Sequence, residues 1–267
     1  MIFELKIWQA FKVVFHPSDL LRRAYFFVLP PLFCSLLLSV FLSAGATFGL
    51  VFAVVLVVII LFLYQLYLWS VSFFYAQQIS EKNWGDYGLT VSELLVDMPI
   101  KLRLLLIRLF WYIPSIIALI ALSVDIIRTG STAIATTQFT TLQTALTSIA
   151  LLWALFAENI FVKSSEFLYS QSGNIADAFK VLQVFRLISI QARNFLVIAV
   201  LAVLPNILLT VLAFPLAFIS LVPLLGALVV SFVVGVNTLY RTMFLSNLHG
   251  QIWIEMRNYY EGKQRKQ

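Results

Sequence analysis

Six long apolar stretches sort this chain's basic residues into two very unequal groups, and that sorting constrains the fold more than any motif. The stretches lie at about 24–44, 48–76, 104–124, 143–162, 195–214 and 221–245. Each is near or above the roughly 20 apolar residues that a helix needs to cross about 30 Å of hydrocarbon. The connections between them alternate in charge. On one side fall Lys6, Lys12, Arg22 and Arg23, then Lys82, Lys101, Arg103 and Arg108. Lys163, Lys180, Arg186 and Arg193 follow, and finally Arg241, Arg257, Lys263, Arg265 and Lys266. Of the chain's 18 Lys and Arg residues, that leaves only Arg128, in a Thr-rich connection at 125–142, for the other side. Basic residues accumulate in cytoplasmic loops, so the pattern predicts six spans with both termini in the cytoplasm.

Composition leads to the same class by a separate route. Hydrophobic residues make up 61% of the 267 and charged residues 11%, against roughly 45–50% and about 25% in soluble domains. A soluble fold of this size could not hide so much apolar surface, whereas a bilayer accommodates it as solvent. The expected fold class is all-α integral membrane. Six transmembrane helices form three hairpins, each preceded by a cytoplasmic interfacial amphipathic helix. The net charge of +6 flanks spans, which suits anionic lipid headgroups at the cytoplasmic face and not nucleic acid. Cys34 is the single cysteine, so an intrachain disulfide and a cysteine-based metal site are both excluded. Residues 1–23 carry charge throughout and the first apolar run is too long for a signal h-region, so the first span is expected to be retained.

The amphipathic segments can be read individually. Phe3, Ile7, Phe11, Val14 and Phe15 share one face at helical spacing, with Lys6, Gln9 and Lys12 directed elsewhere. Thr90-Val-Ser-Glu93 reads as a capping box that opens a second segment through Leu94, Leu95, Met98 and Leu102. Pro99 there marks a kink or the junction with the third span. Asn174 is the expected N-cap of a third segment containing Phe179, Leu182, Phe185 and Ile188. Trp8, Trp69, Trp84, Trp111 and Trp253 read as belt residues at headgroup depth.

A three-fold repeat accounts for the spacing. Ala10-Phe-Lys-Val13 recurs as Ala178-Phe-Lys-Val181, and Pro30, Pro114 and Pro205 each fall inside the first span of a hairpin. The chain reads as one polytopic membrane domain over 1–267, with possible repeats at 1–80, 81–170 and 171–250 and a basic tail at 251–267. Each proline removes an intrahelical hydrogen bond and bends its helix. In lipid the carbonyl so freed needs a donor from elsewhere.

The candidate intramembrane polar residues are Arg108, Glu158, Asn159, Asn206, Asn237 and Arg241. Arg108 and Glu158 both lie toward the cytoplasmic side, where they can pair. Asn206 can serve the backbone opened at Pro205. Tyr64, Gln65 and Tyr67 either line a polar path or bond between helices. No catalytic residues are expected. The two histidines, His16 and His249, are far apart, and P-loop, Gly-x-Ser-x-Gly and His-Glu-x-x-His patterns are absent. The chain is therefore expected to be non-enzymatic, with no metal and no cofactor. The leading function is a scaffold, assembly or lipid-interacting factor with membrane lipids and proteins as partners. The alternative is a transporter or permease subunit with a proline-kinked central pathway.

Three short stretches add a resemblance. Pro17-Ser-Asp-Leu-Leu-Arg-Arg23 precedes the first span, Trp84-Gly-Asp-Tyr-Gly88 precedes the second amphipathic segment, and Pro223-Leu-Leu-Gly-Ala227 opens the last span. Together they resemble a family of small prokaryotic polytopic membrane proteins known only as a domain of unknown function. The resemblance implies a location in a prokaryotic inner membrane and supplies no activity. Mitochondrial carriers also pair helices around repeated prolines. They need an acidic residue two positions after each, where this chain has Leu32 and Ile116.

Overall fold

The computed structural model describes residues 5–43, 47–81, 97–129, 141–219 and 223–264. All regular structure among them is helical, and no strand occurs. Helix α1 covers Ile7–Val14, α2 Pro17–Ser43, α3 Thr47–Ser80 and α4 Met98–Thr129. Helix α5 (Thr141–Phe156) passes through a π-helical turn (Ala157–Val162) into α6 (Lys163–Ser172). After α7 (Ile175–Ala178) comes α8 (Val181–Ile219). Helix α9 (Pro223–Leu239) passes through a second π-turn (Tyr240–Phe244) into α10 (Leu245–Gln264).

Among the described residues, five helical stretches are long and apolar enough to cross a membrane: Val51–Ser80, Met98–Asp125, Thr141–Ser172, Val181–Pro205 and Leu228–Glu261. Helix α2 offers the shorter apolar stretch Tyr25–Leu38 among the described residues. Prolines open several of these elements. Pro17, Pro99 and Pro223 stand in the first turns of α2, α4 and α9, where a missing N–H costs no intrahelical bond. Pro99 is thus a junction and not a mid-helix kink.

Contacts divide the chain into two compact units, Met1–Leu102 with Val200–Gln267, and Arg103–Ala199. In the first, α2 packs on α3 and α9, and α3 packs on α10. Two glycines set the closest approaches. A Cβ on Gly235 would meet Val28 Cγ2 at 2.6 Å and Phe27 O at 2.9 Å, and one on Gly250 would meet Ala76 O at 2.6 Å. Ser35 and Ser231 share a hydrogen bond of 3.1 Å, and Ser72 and Ser246 one of 2.6 Å. Arg23 ties α1 to α2 by donating to Val13 O and Val14 O at 2.7 and 2.6 Å, carbonyls the end of α1 leaves open.

Several expectations need correction. The last apolar helix does not give way to a tail at 251, because α10 carries helix through Gln264. Ile252, Trp253 and Met256 are fully buried, with Trp253 5.9 Å from Phe73. Hydropathy falls there, but packing on α3 sustains the helix. For the same reason Trp253 is a core residue and not a belt residue. On α1 the buried positions are Ala10 and Val14, while Ile7, Trp8 and Phe11 face outward. Small Ala10 permits close packing where the large apolar side chains do not. In the first three turns of α8 the buried positions are Val184 and Leu187, with Leu182 86% exposed. Asn174 does cap α7, accepting from Ala176 N at 3.1 Å. The capping box at Thr90–Glu93 and Trp84 lie outside the described residues.

Candidate functional site

The proline positions show how this chain manages its own kinks. A proline at position i leaves the carbonyl at i−4 without its amide. For Pro30 that carbonyl is Phe26 O, and Tyr64 Oη of α3 donates to it at 3.2 Å. For Pro205 it is Leu201 O, and Tyr240 Oη of the second π-turn donates to it at 3.0 Å. Near Pro114 the neighbouring carbonyl, Trp111 O, accepts from Trp153 Nε1 of α5 at 2.7 Å. Pro31 frees Phe27 O, which faces the space left by the missing side chain of Gly235. At Pro30 and Pro205 an aromatic donor from a neighbouring helix thus serves the carbonyl that the proline frees. The conspicuous backbone break in α8 is elsewhere, at Gln191 (φ −116°, ψ 20°), while Pro205 sits in helical backbone.

A buried cluster of charged residues lies in the second unit, between α4 and the α5–π-turn–α6 helix. Arg108 Nη2 donates to Glu158 Oε1 at 3.3 Å, and Arg108 Nη1 lies 2.6 Å from Glu166 Oε1. The latter is a close charge contact and not an aligned hydrogen bond. Lys163 Nζ donates to Glu166 Oε2 at 2.8 Å, and Tyr112 Oη to Glu158 Oε2 at 3.1 Å. The side chains of Arg108 and Glu166 are 1% and 0% exposed, whereas Glu158 is 30% exposed. Two cations thus face two carboxylates in an apolar setting, where a lone charge would be very costly.

The π-turn explains how one arginine reaches both carboxylates. In an uninterrupted α-helix, residues eight apart differ by about 80° in direction. A π-turn absorbs one extra residue, so Glu158 and Glu166 behave as though seven apart and diverge by only about 20°. Asn159 belongs to this same feature. Its Nδ2 donates to Leu155 O at 2.9 Å, supplying a donor where the helix changes register. Aromatic packing clamps the turn, with the Phe161 ring stacked between Trp111 (4.8 Å) and Trp153 (5.4 Å). Trp111 also donates to Ser165 Oγ at 2.7 Å. It is 6% exposed, a buried brace and not a headgroup anchor.

The other sequence candidates, Asn206, Asn237 and Arg241, belong to the first unit. Asn237 and Arg241 flank the start of the second π-turn, in the first unit. Arg241 is exposed, and Asn237 Oδ1 has no hydrogen-bond partner among the described residues. The side chain of Asn206 lies outside the described residues. Glu166, Lys163, Tyr112 and Ser165 were not among the candidates. Glu166 looks like a solvated residue beyond the fourth apolar stretch until the helix is seen to continue past Val162. No group of three or more metal-ligating side chains occurs among the described residues. Comparison with protein-family models, curated proteins and solved structures gives no match to this chain.

Proposed function

We propose that this chain is a non-enzymatic, six-span protein of a prokaryotic cytoplasmic membrane that acts as a scaffold, assembly or lipid-interacting factor. In this reading α2 is the sixth span, its apolar stretch extending beyond Tyr25–Leu38 in sequence. Both termini are cytoplasmic, by the distribution of Lys and Arg. Each hairpin follows a basic amphipathic segment that lies along the inner leaflet. Outward-facing Ile7, Trp8 and Phe11 on α1, with Lys12 Nζ 5.4 Å from the Trp8 ring, suit that position. Its affiliation with the uncharacterised family of small polytopic proteins rests on the three short stretches quoted above.

The pairing of Glu158 with Arg108 carries the functional reading. The carboxylate the sequence singled out pairs with Arg108 and Tyr112 of α4, which supports a bracing role. The serviced proline carbonyls point the same way, toward helices held in one arrangement. A transporter reading draws on a different observation, the two π-turns, since such turns recur at functional sites. Here the first turn aligns two carboxylates on one arginine, which a static brace also needs.

Reporter fusions and affinity purification test the proposal together. A reporter after Gln267 should be cytoplasmic and one in the 131–141 connection external. The reverse result would overturn the topology. Purification in mild detergent should retain protein or lipid partners. Substrate-dependent flux in proteoliposomes of the purified chain would replace the scaffold by a transporter.

A further inference from the structure

We propose that Arg108 is a receptor for the phosphate group of an anionic lipid, with Glu158 as the internal carboxylate that occupies it in the unliganded protein. The inference rests on the membrane reading above and names the ligand class for its polar cluster. Three observations support it.

The two carboxylates on Arg108 are not equivalent. Glu166 is fully buried and held by Lys163 as well as Arg108. Glu158 is 30% exposed, meets Arg108 at the longer distance of 3.3 Å, and accepts from Tyr112 Oη at 3.1 Å. Glu158 is therefore the half that can leave. The π-turn then supplies a route. Ala157–Val162 contains Glu158, and relaxation of that turn to α geometry would swing Glu158 away from the direction it shares with Glu166. Its departure would leave Arg108 and Lys163 facing only Glu166. An excess positive charge in an apolar setting needs an anion, and a guanidinium fork matches phosphate oxygens in pairs.

Depth selects the lipid. Asp125 and Gln143 meet at 3.0 Å near the far end of the same two helices. From there the run back to Arg108 is about 25 Å and the run to Glu158 about 22 Å, at about 1.5 Å per residue. With a hydrocarbon core of about 30 Å, the cluster lies close to the opposite headgroup boundary, where lipid phosphates are. The surrounding basic segments place that boundary on the cytoplasmic side.

Native mass spectrometry of the full chain in mild detergent can read this out. Phosphatidylglycerol and phosphatidylcholine with identical acyl chains are titrated in parallel, and inorganic phosphate is added as competitor. Wild-type preference for phosphatidylglycerol reports the general lipid-interacting reading, since the basic segments contribute to it. The site itself is reported by the difference between variants. Glu158→Gln should raise phosphatidylglycerol affinity at least about fivefold, because apparent affinity scales with the fraction of molecules whose site is open. The double variant Arg108→Gln with Glu158→Gln removes one charge of each sign and should lose that gain. Arg108→Lys keeps the charge without the fork and should retain only part of it. No gain in Glu158→Gln, or a gain that survives in the double variant, overturns the site while leaving the membrane reading intact. Equal displacement by millimolar inorganic phosphate would reassign the site to a soluble anion and overturn the lipid.

Discussion

Arg108 concentrates more consequence than any other side chain in this protein. Its guanidinium serves two carboxylates from two turns of one neighbouring helix, and it is essentially inaccessible to water. Replacing one member of a buried ion network strands its partners, so Arg108→Leu should destabilise the protein by about 3–5 kcal/mol. Glu158→Gln keeps the hydrogen-bonding shape, removes the more exposed carboxylate, and should cost only about 1 kcal/mol. Thermal unfolding of the detergent-solubilised variants, followed by circular dichroism, checks the order. Asp177 gives a separate test outside the candidate spans. The hydrogen bond with Lys180, and then that with Ser172, holds its carboxylate below the usual range. A depressed carboxylate contributes stability above its unfolded value and loses it as pH falls through the folded value. Asp177→Asn should therefore remove a small acid-side dependence, seen by comparing melting at pH 7 and pH 3. The Arg108–Glu158 contact was legible in the sequence because both residues lie at the same end of adjacent apolar runs. Glu166 was not, because hydropathy marks where a membrane ends and not where a helix does.

At the scale of elements, the recurring device is an aromatic donor answering a proline. Tyr64 and Tyr240 reach back to the carbonyls freed by Pro30 and Pro205, and Trp153 bonds Trp111 O in the turn before Pro114. Tyr64→Phe and Tyr240→Phe each delete one hydrogen bond without changing shape. Each should cost about 0.5–1.5 kcal/mol. Comparison of the two with a control Tyr25→Phe, an exposed ring, isolates the bond from the ring. Pattern reading anticipated that kinked backbone would need a donor but could not say which residue would give it. That choice depends on relative helix rotation, which periodicity does not fix between long apolar helices. The glycines follow the same logic. Gly235→Ala and Gly250→Ala each drive a methyl into contacts as short as 2.6 Å. Losses of about 1–3 kcal/mol are expected, read as lower melting temperatures.

For the whole molecule, composition and charge distribution carried the reading to an all-helical chain with several membrane-capable helices, and the structure agrees to that level. The division into Met1–Leu102 with Val200–Gln267 and Arg103–Ala199 was not visible, since it depends on which apolar faces meet. Helix α10 illustrates the difficulty. From 251 onward the sequence reads as a basic tail, yet this helix carries Asn247, which donates to Tyr75 Oη at 3.2 Å, and Gln251, which accepts from Lys6 N at 2.8 Å. Truncation after Leu245 should therefore collapse the first unit and not merely shorten the protein. Limited proteolysis of the truncated chain, with cleavage spreading into α1 and α3, would display this.

The proline carbonyls have a further consequence for biogenesis. While the ribosome is still making α3, α2 carries a Phe26 carbonyl whose eventual donor, Tyr64, has not emerged. In the proposed membrane setting that helix cannot partition into lipid alone without an unsatisfied polar group. Consecutive helices should therefore leave the insertion machinery as pairs, with the earlier one waiting for the later. Force-sensing arrest peptides placed along the nascent chain would register this as a delayed pull, arriving when Tyr64 clears the translocon.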